Sequence, residues 1–270
     1  MNKLYQKKHQ LWLSITFASF AIDNEEIKSK LYDFSLISFR HMKWISSNIL
    51  SSSESYNYDR NMILYKQEDT FAIINALKKE ILDIQKYYGD DTLSDRIKTD
   101  EKYLLDYIDT ILKDDSNNQK ITAFNMKRKY PNKELSQEQI DALTIFLFDE
   151  SYKEYELILV YAYMQARTTS TLQFDVFQDL IDESHFHLKS FGNMMAKLGI
   201  LALPRELHEL TYVVTDLEKF IVDGIAEEEA AKIMCKELSD AIKDEELSKF
   251  FDFINFQENY HIELMKKLLK

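Results

Sequence analysis

Glycine and proline are almost missing from this chain, with four and two among 270 residues, where average usage would give roughly 19 and 13. A sequence that avoids the two main helix breakers yet is 45% hydrophobic is expected to be nearly all helix. The scarcity argues against a β-sandwich, a Rossmann fold and a P-loop enzyme, whose turns and phosphate loops need glycine. Cysteine is down to a single residue, Cys235. That excludes an internal disulfide, a zinc ribbon and a Cys₄ iron site, and it fits a reducing cytoplasm. Positive charge is also short: 34 Lys and Arg face 46 Asp and Glu, for a net charge of −12. A phosphate-binding surface needs clustered Lys and Arg, so no nucleic-acid partner is expected. The apolar stretch around Trp12 and Phe17 lacks a small-residue cleavage site, and charges resume by Asp23. Neither a signal peptide nor a membrane span is expected.

What is present is helical periodicity almost throughout. It predicts helices at about 3–21, 24–50, 61–88, 93–113, 136–167, 171–198, 204–223, 226–242 and 245–269. Gly89-Asp90-Asp91 reads as a turn, and Ser136 with Gln139 as a capping box. Gly199 should stop one helix, Pro204 should open the next, and Gly224 should interrupt the one after. The layout is two sets of about four helices, residues 1–113 and 134–270, split by a polar, basic linker at 114–133. An internal repeat is suggested by His41-Met42-Lys43 and His187-Leu188-Lys189, offset by 146 positions.

The last helix carries the sharpest chemical signal. Phe251, Ile254, Glu258, His261, Met265 and Leu268 lie on one face, apolar except for Glu258 and His261. A carboxylate on a buried seam costs several kcal/mol unless it is paired or holds a metal ion. A Glu and a His three apart can reach one cation. Other seams repeat the anomaly. Glu218 sits among Leu207, Thr211, Val214 and Ile221, and Glu154 follows Glu150 on the seam of Leu147, Leu157, Tyr161 and Met164. Glu183 and His187 flank the stripe of Phe177, Leu180, Ile181, Ser184, Leu188, Phe191 and Met195. Glu154 and Glu183 are equidistant from the Thr168-Thr169-Ser170-Thr171 break, so a tight hairpin puts them at one level. Four glutamates and two histidines from four helices form the ligand set of a dinuclear carboxylate site, suited to Fe(II) or Mn(II).

With these residues the chain resembles the ferritin-like superfamily, most nearly its rubrerythrin-like members. The carriers are Glu154 with Tyr161, Glu183-Ser184-His185-Phe186-His187, Glu218, and Glu258-Asn259-Tyr260-His261. The resemblance implies an all-α chain of two tandem ferritin-like four-helix bundles, with a dimetal site in the second. It implies two iron ions, alternatively manganese, with Glu154, Glu183, Glu218 and Glu258 as carboxylate ligands and His187 and His261 as imidazole ligands. The expected chemistry is oxidation of Fe(II) or reduction of O₂ or peroxide, with electrons from Fe(II) or a separate donor. Ser184 stands where the family usually has the Glu three before its His; Glu183 is four before. Tyr161 would stand behind the ligands. Whether Glu150 or His185 contributes stays open, as do the substrate and any oligomer.

The first half looks like a worn copy. Glu80 and Glu101 face each other across the Gly89 turn and His41 matches His187, but Lys8 falls under Glu154, Ile37 under Glu183 and Leu104 under His261. Three candidate ligands with a lysine nearby favour an ion pair over a dimetal site. Two rival expectations remain for the whole chain: an oxidase or oxygenase acting on a small organic substrate at the same site, and a helical scaffold or binding protein with no catalysis. Glu227-Glu228-Glu229 reads as a charged first turn of a helix, and Cys235 as a buried small hydrophobe.

Overall fold

The computed structural model describes residues 1–61, 67–202 and 204–269. The chain is all-α: among the described residues no strand forms, and the only sheet-like pairing is an isolated bridge between Asp69 and Lys120. Two compact units emerge, residues 1–127 with 199–206, and residues 128–198 with 207–270. The boundary differs from the expected linker, since 114–127 belongs to the first unit and a short piece beyond the sixth helix returns to it.

The first unit contains α1 (Asn2–Ala21), α2 (Glu25–Ser51), α3 (Thr70–Ile84) and α4 (Thr92–Leu112). Asn24, Asp69 and Asp91 cap the last three by accepting backbone N–H bonds in the first turn. α3 therefore starts at Thr70, well after the expected residue 61; part of that earlier stretch, 62–66, lies outside the described residues. Every residue of α1 from Leu11 to Ala21 is buried, as befits a helix apolar on nearly all sides. α1 packs on α2 and α3, and α4 packs on α2 and α3.

The second unit contains α5 (Gln137–Gln165), α6 (Thr171–Leu198), a single turn α7 (Glu209–Tyr212), α8 (Leu217–Ile242) and α9 (Glu245–Leu268). The Ser136 capping box forms with both of its hydrogen bonds. α6 stops where Gly199 turns left-handed at φ 74°, and a Cβ there would fall 2.0 Å from Asn125 Oδ1, so only glycine fits.

The largest departure from the expected layout lies between 204 and 242. Pro204 opens no helix, and 204–208 and 213–216 are non-helical. Gly224 does not divide two helices but lies inside the continuous α8. It faces α9: a Cβ on Gly224 would sit 3.4 Å from Met265 Cε and Sδ, an ordinary contact.

Two hairpins set the levels of the side chains. α5 and α6 pack along their lengths, as do α8 and α9. Between α8 and α9 the chain reverses through left-handed Lys243, and Asp244 caps α9. Ser239 and Ser248 exchange hydroxyl-to-carbonyl bonds of 3.1 and 2.8 Å, and Asn255 donates to Lys232 O at 2.7 Å. These pairs are centred on the turn and fix the register of the hairpin.

Candidate metal centre

The register of the α8–α9 hairpin brings Glu228 level with Glu258, each about equally far from Lys243. Along α8 the inward stripe runs Ile221, Gly224, Glu228, Ala231, Cys235, Leu238 and Ile242, a 3-4 spacing with one acid in it. On α9, Glu258 and His261 are buried within Phe251, Ile254 and Met265 as their spacing predicts. On α5, Glu154 is 4% exposed, and on α6 His187 is fully buried. Buried ionisable groups at this density need partners.

They find them in one another. His187 Nδ1 lies 2.8 Å from Glu154 Oε1 and 3.9 Å from Glu258 Oε1. His261 Nδ1 lies 2.9 Å from Glu258 Oε2 and 3.8 Å from Glu228 Oε1. The two rings are 5.5 Å apart, centroid to centroid. Two ligand groups result, Glu154/His187/Glu258 and Glu228/Glu258/His261, with the donor atoms of each within 4.8 Å of one another. Glu258 belongs to both, turning one oxygen towards each histidine.

Glu218, expected as a ligand, takes no part: it is exposed in the first turn of α8, the wrong end of a helix that runs straight through Gly224. Glu228 holds the inward position instead. Its signal was legible in the 3-4 stripe, but only to a reading that continued across the glycine. Glu183 is half-buried at the rim and lies outside both ligand groups. Its Oε2 is 3.7 Å from His261 Nε2, and it accepts a 2.7 Å hydrogen bond from Gln257 Nε2. Across the α5–α6 hairpin it is His187, not Glu183, that touches Glu154.

The remaining candidates surround the group. His185 is buried and turns Nδ1 to Ile181 O at 2.8 Å, a bond within its own helix. Glu150 is buried one turn from Glu154; burial, aided by Glu154 and Glu228 and opposed by Lys153, pushes its carboxyl up to about 7. Tyr161 is buried and stacks on Phe177, and burial with Glu228, Glu154 and Glu258 near it holds the phenol protonated. Burial, with Glu258, Glu150 and Glu154 near it, keeps the Cys235 thiol protonated.

The electrostatics show the strain of this crowding. Two carboxylates within 4.8 Å of one another repel by about 3.5 kcal/mol or more when both are ionised, at an effective dielectric of about 20. Burial and the adjacent Glu228 push the Glu258 carboxyl well above the usual range, while His261 holds Glu228 ionised. Burial opposes charge on His187, but Glu154 and Glu258 outweigh it and push the imidazole up to about 9. Glu154 Oε2 is buried without a hydrogen-bond partner.

Each group could hold a metal ion: its donor atoms lie within 4.8 Å of one another, close to the roughly 4.4 Å that an ion with ligands at about 2.0–2.2 Å can span. Carboxylate oxygen with imidazole nitrogen suits Fe(II) and Mn(II).

The first unit is built differently at its centre. Lys8, fully buried, donates to Glu101 Oε1 at 2.9 Å and lies 3.2 Å from His41 Nδ1. Asp100 meets His41 Nε2 at 3.0 Å, and Tyr88 donates to Glu101 at 2.5 Å. The ammonium supplies the positive charge within the group. Glu80 is largely buried, and burial raises its carboxyl.

No family model matches the chain, and neither a curated protein nor a solved structure matches it. Among the described residues no helix is long and apolar enough to cross a membrane.

Proposed function

We propose that the second unit is a dinuclear metal protein of the ferritin-like kind, holding two iron or manganese ions and oxidising Fe(II) or reducing O₂ or peroxide. The observation that carries the reading is Glu258, whose two oxygens face two separate His-and-Glu groups. Glu154 and His187 would complete one site, and Glu228 and His261 the other. Three carboxylates and two imidazoles with so little solvent gain little as a purely structural cluster, because a buried ion pair barely repays its desolvation.

Bound iron or manganese would supply the electron transfer, to O₂ or peroxide or from Fe(II). The protein's part is to hold ligands at fixed separation and exclude water. Divalent ions would take the place of protons on His187 Nδ1, His261 Nδ1 and the Glu258 carboxyl. With Cys235 buried and protonated, electrons come from Fe(II) or a separate donor.

Elemental analysis of protein made in iron- and manganese-supplemented cells tests the reading. Two ions per chain, lost in Glu258→Ala, is the expected result. Native protein that takes up neither metal, when purified or when titrated anaerobically, would sink it.

A further inference from the structure

Gln257 stands beside Glu258 on α9, half-buried between two groups of opposite demand. His187 Nε2 lies 3.2 Å from its Oε1, and its Nε2 donates to Glu183 Oε2 at 2.7 Å. The amide can be oriented in only one way. A carboxylate only accepts, so the NH₂ must face Glu183; the carbonyl then faces His187 and requires a proton on Nε2. That leaves Nδ1, 2.8 Å from Glu154 and 3.9 Å from Glu258, as the nitrogen turned inward.

We propose that Gln257 is a positioning residue that fixes His187 with Nδ1 towards the ions and Nε2–H outward, and that Glu183 acts through Gln257 rather than as a ligand. This rests on the metal reading above and deepens it. The four-residue spacing of Glu183 and His187 then has a physical sense. Glu183 is set to the rim of α6, where it anchors the amide instead of reaching the ions. Partners of this kind orient a ligating imidazole and select its tautomer, and their loss costs about 10–100-fold in metal affinity.

The test titrates the full chain with Mn(II) and follows ¹⁵N-labelled histidine in Zn(II)-loaded protein. Glu183→Gln should keep both ions with affinity changed less than tenfold, because its side-chain carbonyl still accepts from Gln257. Gln257→Leu should weaken binding by about 10–100-fold and speed exchange of the His187 Nε2 proton. The swap Glu183→Gln with Gln257→Glu restores an acceptor for His187 and a donor between the two side chains. It should recover the slow Nε2 proton, which keeps the proposal testable if Gln257→Leu does not fold. In the wild type, Zn(II) should sit on Nδ1. Loss of an ion in Glu183→Gln, Zn(II) on Nε2, or a swap no better than Gln257→Leu overturns this proposal while leaving the dinuclear reading intact. A wild type that binds neither Mn(II) nor Zn(II) overturns both.

Discussion

Substituting Glu228 by Gln, with Glu218→Gln as its control, separates the structure from the layout that the glycine suggested. In metal-free protein Glu228→Gln removes an attraction to His261 at 3.8 Å, worth about 4.4 kcal/mol at an effective dielectric of about 20. The repulsion it relieves is smaller at neutral pH, because the Glu258 carboxyl is pushed up to about 8, so the metal-free variant should melt lower than the wild type. Metal gives the sharper test. At a free concentration 100 times Kd, each ion adds about 2.7 kcal/mol to the folded state. Two independent ions add about 5 kcal/mol, which for a unit of this size raises the melting temperature by roughly 15 °C. Glu228→Gln strips one of three donors from one group and should lose up to about half of that rise. Glu218→Gln, altering an exposed side chain in the first turn of α8, should keep all of it. The assay is differential scanning calorimetry with and without Mn(II), with bound metal counted on the same samples. If Glu218→Gln abolishes the shift and Glu228→Gln retains it, the assignment of α8 is wrong.

Three further outcomes follow from the same packing. Burial and Arg60 push His9 down to about 3, and burial with Lys8 lowers His41; both stay neutral when folded and titrate near 6.5 when unfolded. Stability of the first unit is then full above about 6.5 and falls as pH drops towards 3, by up to about 1.4 kcal/mol per pH unit for each histidine; urea titrations from pH 7 to 4.5 should show the slope, reduced in His9→Gln. Lys8→Met leaves Glu101 buried without its ammonium and should cost about 3–5 kcal/mol, with part of the loss recovered by adding Glu101→Gln; a single variant as stable as the wild type in denaturant would contradict the ion-pair account. Lys243 holds φ 48° at the end of α8, so Lys243→Gly should stabilise by about 1 kcal/mol, whereas Gly199→Ala, with its Cβ against Asn125, should destabilise by more than that; thermal melts of both test the turn geometry.

The sequence by itself determined the class of the molecule and most of its inward faces. With four glycines and two prolines in 270 residues, little besides helix was available, and a period of 3.6 residues decides which side chains share a face. Glu154, His187, Glu258 and His261 stood out for that reason: polar groups on apolar stripes cost energy, and the stripes could be read directly. Periodicity does not say whether a helix continues through a glycine. That depended on α9, whose Met265 fills the space beside Gly224, and continuing the helix moved the inward acid from Glu218 to Glu228. Nor could spacing reveal that Glu183 stops at the rim in the hand of Gln257, whereas the Lys8 ion pair, 2.9 Å from Glu101, was already legible in the register of the two halves. Faces belong to one helix and are local; partners across faces are set by how helices meet, which only the tertiary structure decided.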